Sequence, residues 1–290
     1  MRDILLILLT ATLAFSGQAI AQPKATQENC IASGNPEVKL TITQIPPECP
    51  LQYPFVKYLS VFGVNVVATS SVSDKKMLHA GNVLAQYLDN NEDGTPDDKK
   101  VLEMLTGEKA TLVMASESEF EEFMEGEPPE DIAIQDLLVD ETRPEFHQGD
   151  YSRFDASLEE VLHLVQAVGW ANTFPEVFGT EPGSKLADAM DKARGGHFEE
   201  LPGNYPSGAW YSYDDETCDY GCQVIEYSYW VTTTLLGAHD YPNRADEIGE
   251  EWKLTKVSDL KAKDEGWKII TSSDFKQPTK KLPDGNYLGL

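Results

Sequence analysis

The stretch SLEEVLH at residues 157–163 places two glutamates and a histidine on one predicted amphipathic helix. Its leucines and valine recur at helical spacing, so one face of the helix is apolar. Glu159 and His163 are four residues apart and therefore project from the same side, where both can ligate one metal ion. Glu160 lies one position round the helix, where its carboxylate can face a water molecule on that ion. Acidic helices without a metal often carry the same pattern, so the rest of the chain must decide between the two interpretations.

A further acid, Glu226, lies in the stretch YGCQVIEYSYW at residues 220–230, within a predicted apolar helix over residues 223–236. Its neighbours are mostly apolar or aromatic, and a buried carboxylate is costly unless it is paired or binds a metal. Glu226 is therefore expected either to be paired or to bind a metal. Because a carboxylate at position 159 is a harder ligand than an imidazole, we expect a divalent transition metal, either zinc or the more oxygen-preferring manganese or iron.

The hydrophobic pattern predicts strands early in the chain and helices late. In chain order, the early elements are a strand at 61–69, a helix capped by Asp74, a helix at 99–105, a strand at 110–115, a helix around Phe120 and a strand at 136–140. From Asp155 onward the pattern is helical, and it includes a short helix at 185–194. This order indicates an α+β architecture.

The order of elements, together with the two helices that carry Glu159 and Glu226, resembles the lethal-factor-like zincin metallopeptidases over about residues 61–236. In that family the first position of the H-E-x-x-H motif is histidine, and this chain has Glu159 there. The resemblance implies a zincin-like α+β fold, with a small N-terminal sheet and helices followed by a mainly helical C-terminal half. It also implies a site in which Glu159, His163 and Glu226 hold the metal, Glu160 is the general base, and Tyr213 or Tyr220 stabilises the oxyanion.

An acidic loop, DNNEDGTPDDKK at residues 89–100, resembles the calcium loop of an EF-hand and lies between two predicted helices. Gly94 stands at the sixth position, where such a loop turns sharply. The candidate calcium ligands are Asp89, Asn91, Asp93, Thr95 and Asp97. Pro96 and Lys100 depart from the usual pattern, since Lys100 stands where a bidentate carboxylate is normal, so Asp98 or a distant acid would complete the shell. The alternative interpretation is a polar turn that joins two helices.

The N-terminus predicts export. Residues 1–21 combine a charged start, an apolar run and a small-residue cleavage sequence, which is typical of a secretory signal. Residues 22–55 form a predicted extended arm, and residues 56–290 form the predicted zincin-like domain. In an oxidising compartment the four cysteines predict two disulfides. Three pairings are open, and proximity favours Cys30 with Cys49 and Cys218 with Cys222.

The composition limits the choice of partners. A formal net charge of −26 opposes binding to nucleic acid and to anionic membranes. The same charge attracts cations, although a solvated acidic surface that keeps the protein soluble is the simpler explanation. The hydrophobic content of 41% is ample for a packed core.

Two functions of different classes follow from these features. The first is a secreted, metal-dependent, peptidase-like hydrolase that holds a peptide or protein substrate against the edge strand near residues 136–142. The alternative is an inactive secreted calcium-binding, matrix or binding protein on a zincin-like fold. A third candidate, a ferritin-like iron site, needs a second E-x-x-H motif and a four-helix bundle, and the sequence predicts neither.

Overall fold

The computed structural model describes residues 39–47 and 49–289. Five strands form one mixed sheet in the order β1-β2-β3-β4-β5. These strands are β1 (Lys39–Gln44), β2 (Lys57–Val61), β3 (Val64–Ala68), β4 (Thr111–Ala115) and β5 (Ile134–Leu138). The pairs β1–β2 and β2–β3 are antiparallel, whereas β3–β4 and β4–β5 are parallel. The predicted signal at residues 1–21 lies outside the described residues, and β1 forms within the segment predicted as an arm.

A tight hairpin turn interrupts the segment that the sequence predicts as one strand at residues 61–69. Phe62 and Gly63 have φ angles of 51° and 92°, as in the two-residue turns whose twist matches that of the flanking strands. The chain reverses here, so that β2 ends at Val61 and β3 begins at Val64. The prediction was wrong at this point because the apolar side chain of Phe62 continues the hydrophobic run through the turn.

Helices connect the parallel strands and dominate the chain after β5. Helices α1 (Asp74–Leu88) and α2 (Lys99–Gly107) lie between β3 and β4, and α3 (Glu117–Glu125) lies between β4 and β5. The later helices are α4 (Ser157–Leu164), α5 (Ala171–Thr173), α6 (Pro175–Phe178), α7 (Lys185–Arg194), α8 (Tyr220–Leu235), α9 (Arg244–Glu247), α10 (Val257–Lys263) and α11 (Gly266–Ile270). A 3-10 helix, Phe146–Gln148, precedes α4, and a π-helical segment, Val165–Trp170, continues it. The predicted α+β class is thus confirmed. None of the helices in the described part of the chain is long and apolar enough to cross a membrane.

Several helices begin where a side chain caps the first turn. Ser73 caps α1 by accepting a hydrogen bond from a backbone amide, whereas the sequence predicted Asp74 as the cap. Asp219 accepts a hydrogen bond from the Cys222 amide, so α8 begins at Tyr220 instead of at residue 223. These two helices therefore form where they were predicted, and the capping side chains decide their first residues, whereas α9, α10 and α11 were not predicted.

The sheet is buried on both faces, which explains the apolar character of β3 and β4. Alternate residues of a strand point to opposite faces. Val66 and Leu112 belong to the larger core, which also contains buried side chains of α1, α4 and α8. Val67 and Val113 belong to a smaller core that contains Phe120 of α3. The larger core lies between the sheet and the late helices, and the candidate site is built within it.

One disulfide, Cys218–Cys222, closes the turn that leads into α8, with the two Cα atoms 5.3 Å apart. This pair was predicted from proximity, and the structure confirms it. The other predicted pair, Cys30 with Cys49, includes a residue that lies outside the described part of the chain.

Glu119 joins the end of β3 to the start of α3. Its Oε2 atom accepts hydrogen bonds from the Ser116 amide and from the hydroxyls of Ser116, Ser71 and Thr69, at 2.6–3.0 Å. Partial burial disfavours the charged form, but these hydrogen bonds outweigh it and lower the pKa of Glu119 to about 2. The charged carboxylate therefore stabilises the connection between the two elements.

We expect Glu119→Gln to destabilise the protein by about 1–2 kcal/mol at pH 7, since charge-assisted hydrogen bonds are lost. The folded-state pKa lies below the ordinary value of 4.5, so this stabilisation is complete above that value and is lost as the pH falls toward 2. Urea unfolding at pH 7 and pH 3 measures the free energy of unfolding of both proteins. The difference between the variant and the unmodified protein should shrink at pH 3 to roughly half of its value at pH 7, or less. Glu121→Gln, an exposed change on the same helix, is the control, and an unchanged difference at pH 3 would contradict the assignment.

Candidate metal centre

Helices α4 and α8 pack against each other and bring the three predicted ligands together. Glu159 and His163 lie on α4, and Glu226 lies on α8. One side-chain ligand atom from each residue lies within 4.8 Å of the other two. The structure therefore assembles the trio that the sequence singled out, from segments more than sixty residues apart.

Packing on the other side of α4 orients this trio. Leu158, Val161 and Leu162 are fully buried in the larger core, where α4 contacts α1 and β5. Directly after His163 and Leu164 the helix widens into its π-helical segment, a local irregularity that is frequent at functional sites. The apolar face of α4 thus holds the helix in place, and Glu159 and His163 project toward Glu226 on α8.

His163 lies between two carboxylates and has no conventional hydrogen bond. Its Nε2 atom is 3.5 Å from Glu226 Oε2, and its Nδ1 atom is 3.4 Å from Glu160 Oε2. The side chain is only 2% exposed, and neither ring nitrogen meets hydrogen-bond geometry with any described residue. The ring of Tyr229 packs edge-on against the imidazole, with centroids 5.6 Å apart. Buried polar atoms are nearly always paired, so this ring fits a site that takes a proton or a metal ion.

The electrostatics of the trio favour a positive charge. Burial alone would lower the pKa of His163, but the carboxylates of Glu226 and Glu160 raise it well above its ordinary value. Burial, and then the neighbouring carboxylates of Glu226 and Glu160, raise the pKa of Glu159 well above its ordinary value. Negative charges crowded together in a buried space disfavour one another, and a divalent cation would relieve that repulsion.

Glu160 lies on the Nδ1 side of the His163 ring, away from Nε2. It is buried, and its Oε2 atom accepts a hydrogen bond of 2.8 Å from the side-chain amide of Gln135 on β5. A carboxylate in this place suits the orientation of a metal-binding imidazole, as outer partners of ligating histidines do. Glu160 can therefore act as the predicted general base only if its second carboxylate oxygen reaches the Nε2 side of the His163 ring.

Further carboxylates surround the trio. Burial and the charge of Glu160 raise the pKa of Asp136 on β5 to about 8, and they raise the pKa of Glu141 to about 7. On the other side, burial and the charge of Glu226 raise the pKa of Glu251 to about 7. The group of interacting carboxyl groups thus extends beyond the three candidate ligands, and these outer members are partly or mostly protonated near neutral pH.

The two predicted oxyanion tyrosines lie in different places. The hydroxyl of Tyr213 donates to Glu226 Oε1 at 3.2 Å, so Tyr213 belongs to the site. The hydroxyl of Tyr220 donates to Asp191 Oδ2 at 3.1 Å, which corrects its predicted place. Tyr220 and Glu226 are six residues apart on α8, so they project from different faces of the helix.

Tyr229 is a site residue that sequence reasoning missed. It follows Glu226 by three residues on α8, so both project from the same side of the helix. Its side chain is fully buried, and its hydroxyl has no hydrogen-bond partner among the described residues. Burial and the charge of Glu159 raise the pKa of Tyr229 well above its ordinary value. The i, i+3 spacing was visible in the sequence, but the many aromatic residues of this segment concealed it.

A cleft of about 440 Å³ lies beside the trio. Tyr213 connects the two, because it lines the cleft and also donates to Glu226. The remaining lining residues are Leu201, Pro202, Gly203, Asn204, Tyr205, Ser212, Asp214, Glu216, Glu250 and Glu251. Within the ring-rich segment at residues 209–220, Tyr211 is fully buried in the core whereas Tyr213 faces this cleft.

The predicted calcium loop forms a compact turn between α1 and α2. Gly94 has a φ angle of +85°, and its amide donates to Asp89 Oδ2 at 2.8 Å. The amide of Asp93 donates to Asp89 Oδ1 at 3.2 Å, and the amide of Thr95 donates to Asp93 Oδ1 at 3.0 Å. Asp97 Oδ2 accepts a hydrogen bond from the backbone amide that follows Asp89. The loop thus turns inward around its first carboxylate.

The C-terminal tail, residues 280–287, covers this loop. The hydroxyl of Tyr287 donates to Asp89 Oδ2 at 2.6 Å, and the amides of Lys280 and Lys281 donate to Asn90 Oδ1. Lys100 lies in α2, and Asp98 caps that helix through its Oδ1 atom. Within the described residues, the loop carboxylates do not form a group with ligand atoms all within 4.8 Å, whereas the trio does.

In comparisons with known proteins, no protein-family model, no curated protein and no solved structure matches the chain.

Proposed function

We propose that the protein is a metal-dependent, peptidase-like hydrolase whose metal is held by Glu159, His163 and Glu226. The observation that carries this proposal is the buried His163, whose two nitrogens face carboxylates without forming hydrogen bonds. One imidazole and two carboxylates are a donor set that zinc, manganese and iron accept. The zincin-like character of the fold is part of the same proposal, and the order of strands and helices supports it.

The side chains around the trio have distinct roles in this proposal. When bound, a divalent metal would polarise a carbonyl group and lower the pKa of a water molecule. Glu160, which is held by Gln135, lies beside His163 Nδ1 and is also the candidate acceptor of the proton from water. Tyr213 lies between the trio and the cleft and donates its one O–H to Glu226. It would turn this O–H away from Glu226 to donate to an oxygen that becomes negatively charged.

An extended peptide can approach along β5. In the described part of the chain β5 is an edge strand that pairs with β4 alone, and it contacts α4 directly. An open edge offers backbone donors and acceptors to an added strand. This edge supports a peptide or protein substrate. The strand β5 begins at Ile134, two residues earlier than the strand that the sequence predicted.

The second candidate function is a metal-containing binding protein without catalysis. The position of Glu160 favours it, since a carboxylate held on the Nδ1 side by Gln135 suits a structural ligand environment. We also propose that the protein is exported, and the Cys218–Cys222 disulfide supports an oxidising compartment.

The metal content of the purified protein tests the first part of the proposal. After dialysis against metal-free buffer, we expect Glu159→Ala/His163→Ala to hold one transition-metal ion per chain fewer than the unmodified protein, measured by elemental analysis. Glu121→Ala/His197→Ala removes the same two residue types at the surface and should keep the metal. Equal metal content in all three proteins would contradict the site.

Glu160→Gln separates the two candidate functions. If Glu160 accepts a proton, the variant should keep its metal but lose peptide hydrolysis by a factor of about 10²–10⁴, measured on a peptide library by mass spectrometry. Glu122→Gln, an exposed change, should retain full activity. Unchanged hydrolysis by the Glu160→Gln protein would show that Glu160 is not the general base. If none of the metal-loaded proteins hydrolyses peptides, the result would support the metal-containing binding protein.

We further propose that the loop at residues 89–98 binds calcium as a structural ion. Three of the roughly four lone-pair directions of a carboxylate are used on Asp89 by the amides of Asp93 and Gly94 and by the Tyr287 hydroxyl, which leaves one free. Burial, together with the charges of Asp89 and Asp93, raises the pKa of Asp97 despite opposing contacts. A cation would relieve this repulsion.

Calcium should therefore stabilise the protein by about 2–3 kcal/mol at a hundredfold excess over its Kd. We expect Asp93→Asn to weaken binding in a calorimetric titration and to abolish most of the calcium-dependent rise in Tm. Glu103→Gln, on the exposed face of α2, serves as the matched control. No calcium-dependent change in the Tm of the unmodified protein would show that the loop is only a polar turn.

A further inference from the structure

We propose a second transition-metal site, separate from the trio, formed by His79, His147 and Asp155. His79 lies on α1, His147 lies in the 3-10 helix after β5, and Asp155 lies just before α4. One ligand atom from each residue lies within 4.8 Å of the other two. Two imidazoles and one carboxylate converging from three segments form a donor set suited to zinc or iron.

The geometry centres on a single carboxylate oxygen. His79 Nε2 is 2.7 Å from Asp155 Oδ2, and His147 Nε2 is 2.9 Å from the same atom. The three side chains are 6%, 8% and 0% exposed, in the order His79, His147 and Asp155. Without a metal, this arrangement is a hydrogen-bonded triad in which both rings donate to one oxygen.

Only a small adjustment converts the triad into a metal site. Ligands about 2.0–2.2 Å from a tetrahedral ion are separated from one another by about 3.4 Å. The Nε2 atoms of His79 and His147 would therefore have to move about 0.7 Å and about 0.5 Å farther from Asp155 Oδ2, which side-chain rotation can supply. Each neutral ring would also have to carry its proton on Nδ1 instead of Nε2, so that Nε2 has a lone pair for the metal. The metal would then replace two hydrogen bonds with three coordinate bonds.

The surroundings hold the carboxylate and one ring in place. Asp155 Oδ1 accepts hydrogen bonds from the amides of Arg143 and Ser157, at 2.7 and 3.4 Å, which leaves Oδ2 for the ligand. Such outer-shell contacts commonly orient metal ligands. Gly285 of the C-terminal tail closes the far side of His79, because a Cβ atom there would lie 2.0 Å from His79 Nδ1.

The occupant that fits is a zinc-like divalent ion held by three protein ligands, with a fourth position open to water or another ligand. Such an ion would link α1 to the segment that leads into α4. Asp155 precedes Glu159 by four residues, so the second site would also steady the helix that carries the trio. The two sites share no ligand, and the second does not depend on the proposed hydrolase function.

The test uses the full chain with the trio removed, as Glu159→Ala/His163→Ala. Titration of this protein with Co²⁺ as a spectroscopic probe, and with Zn²⁺ by calorimetry, should give one ion per chain. Adding His147→Asn removes a ligand and should weaken the affinity by more than the roughly 10–100-fold that is typical for loss of an outer-shell partner. Adding His197→Asn instead, which removes the imidazole of a surface His–Asp pair, should leave the affinity unchanged.

Two results would overturn the site. The first is the absence of Co²⁺ or Zn²⁺ binding by the Glu159→Ala/His163→Ala protein, which would leave a hydrogen-bonded triad only. The second is unchanged affinity in the His147→Asn protein. Circular dichroism checks that each variant folds, and His147→Gln replaces His147→Asn if the latter does not. Because the trio is absent from these proteins, failure of the hydrolase proposal would not alter the result.

Discussion

The packing of α4 against α8 places a buried imidazole among ionisable glutamates, and the crowded charges of this group must be balanced by protons or by a cation. His163 lies between Glu160 and Glu226, and Glu159 extends the same negative group. Charges removed from water are stable only when they are paired. Shared protons can meet this need, but a divalent cation meets it for the whole group at once. The other features of the site are arranged around this one condition.

The fold supplies the support that such a group needs. The apolar face of α4 packs on the sheet and α1, and almost every residue of α8 is buried. The candidate ligands are therefore held in place, with His163 and Glu226 buried and Glu159 partly exposed. The C-terminal tail adds a second constraint, because Tyr287 contacts Asp89 of the acidic loop and Gly285 packs on His79. The tail thus joins the two further places where cations are proposed, and α1 lies between them.

Side chains that look equivalent in the motif have different environments. Glu159 belongs to the group of ligand atoms, whereas its neighbour Glu160 faces the opposite nitrogen of His163 and is held by Gln135. Tyr213 links the group to the cleft, and Tyr229 brings an unpaired hydroxyl to the same buried region. The chemistry of the site therefore depends on the placement of individual oxygens more than on the composition of the motif.

The sequence by itself determined what local periodicity and spacing control. It predicted strands before helices, the bounds of α7, the shared face of Glu159 and His163, and the isolated acid Glu226. It also missed the hairpin at Phe62, because an apolar run does not show where the chain reverses. It misplaced Tyr220, because an aromatic-rich segment does not show which ring faces the site. Only the tertiary structure decided which distant side chains meet, including His79 and Asp155, which are 76 residues apart. Helical spacing acts over a few residues, whereas these contacts depend on how whole elements pack.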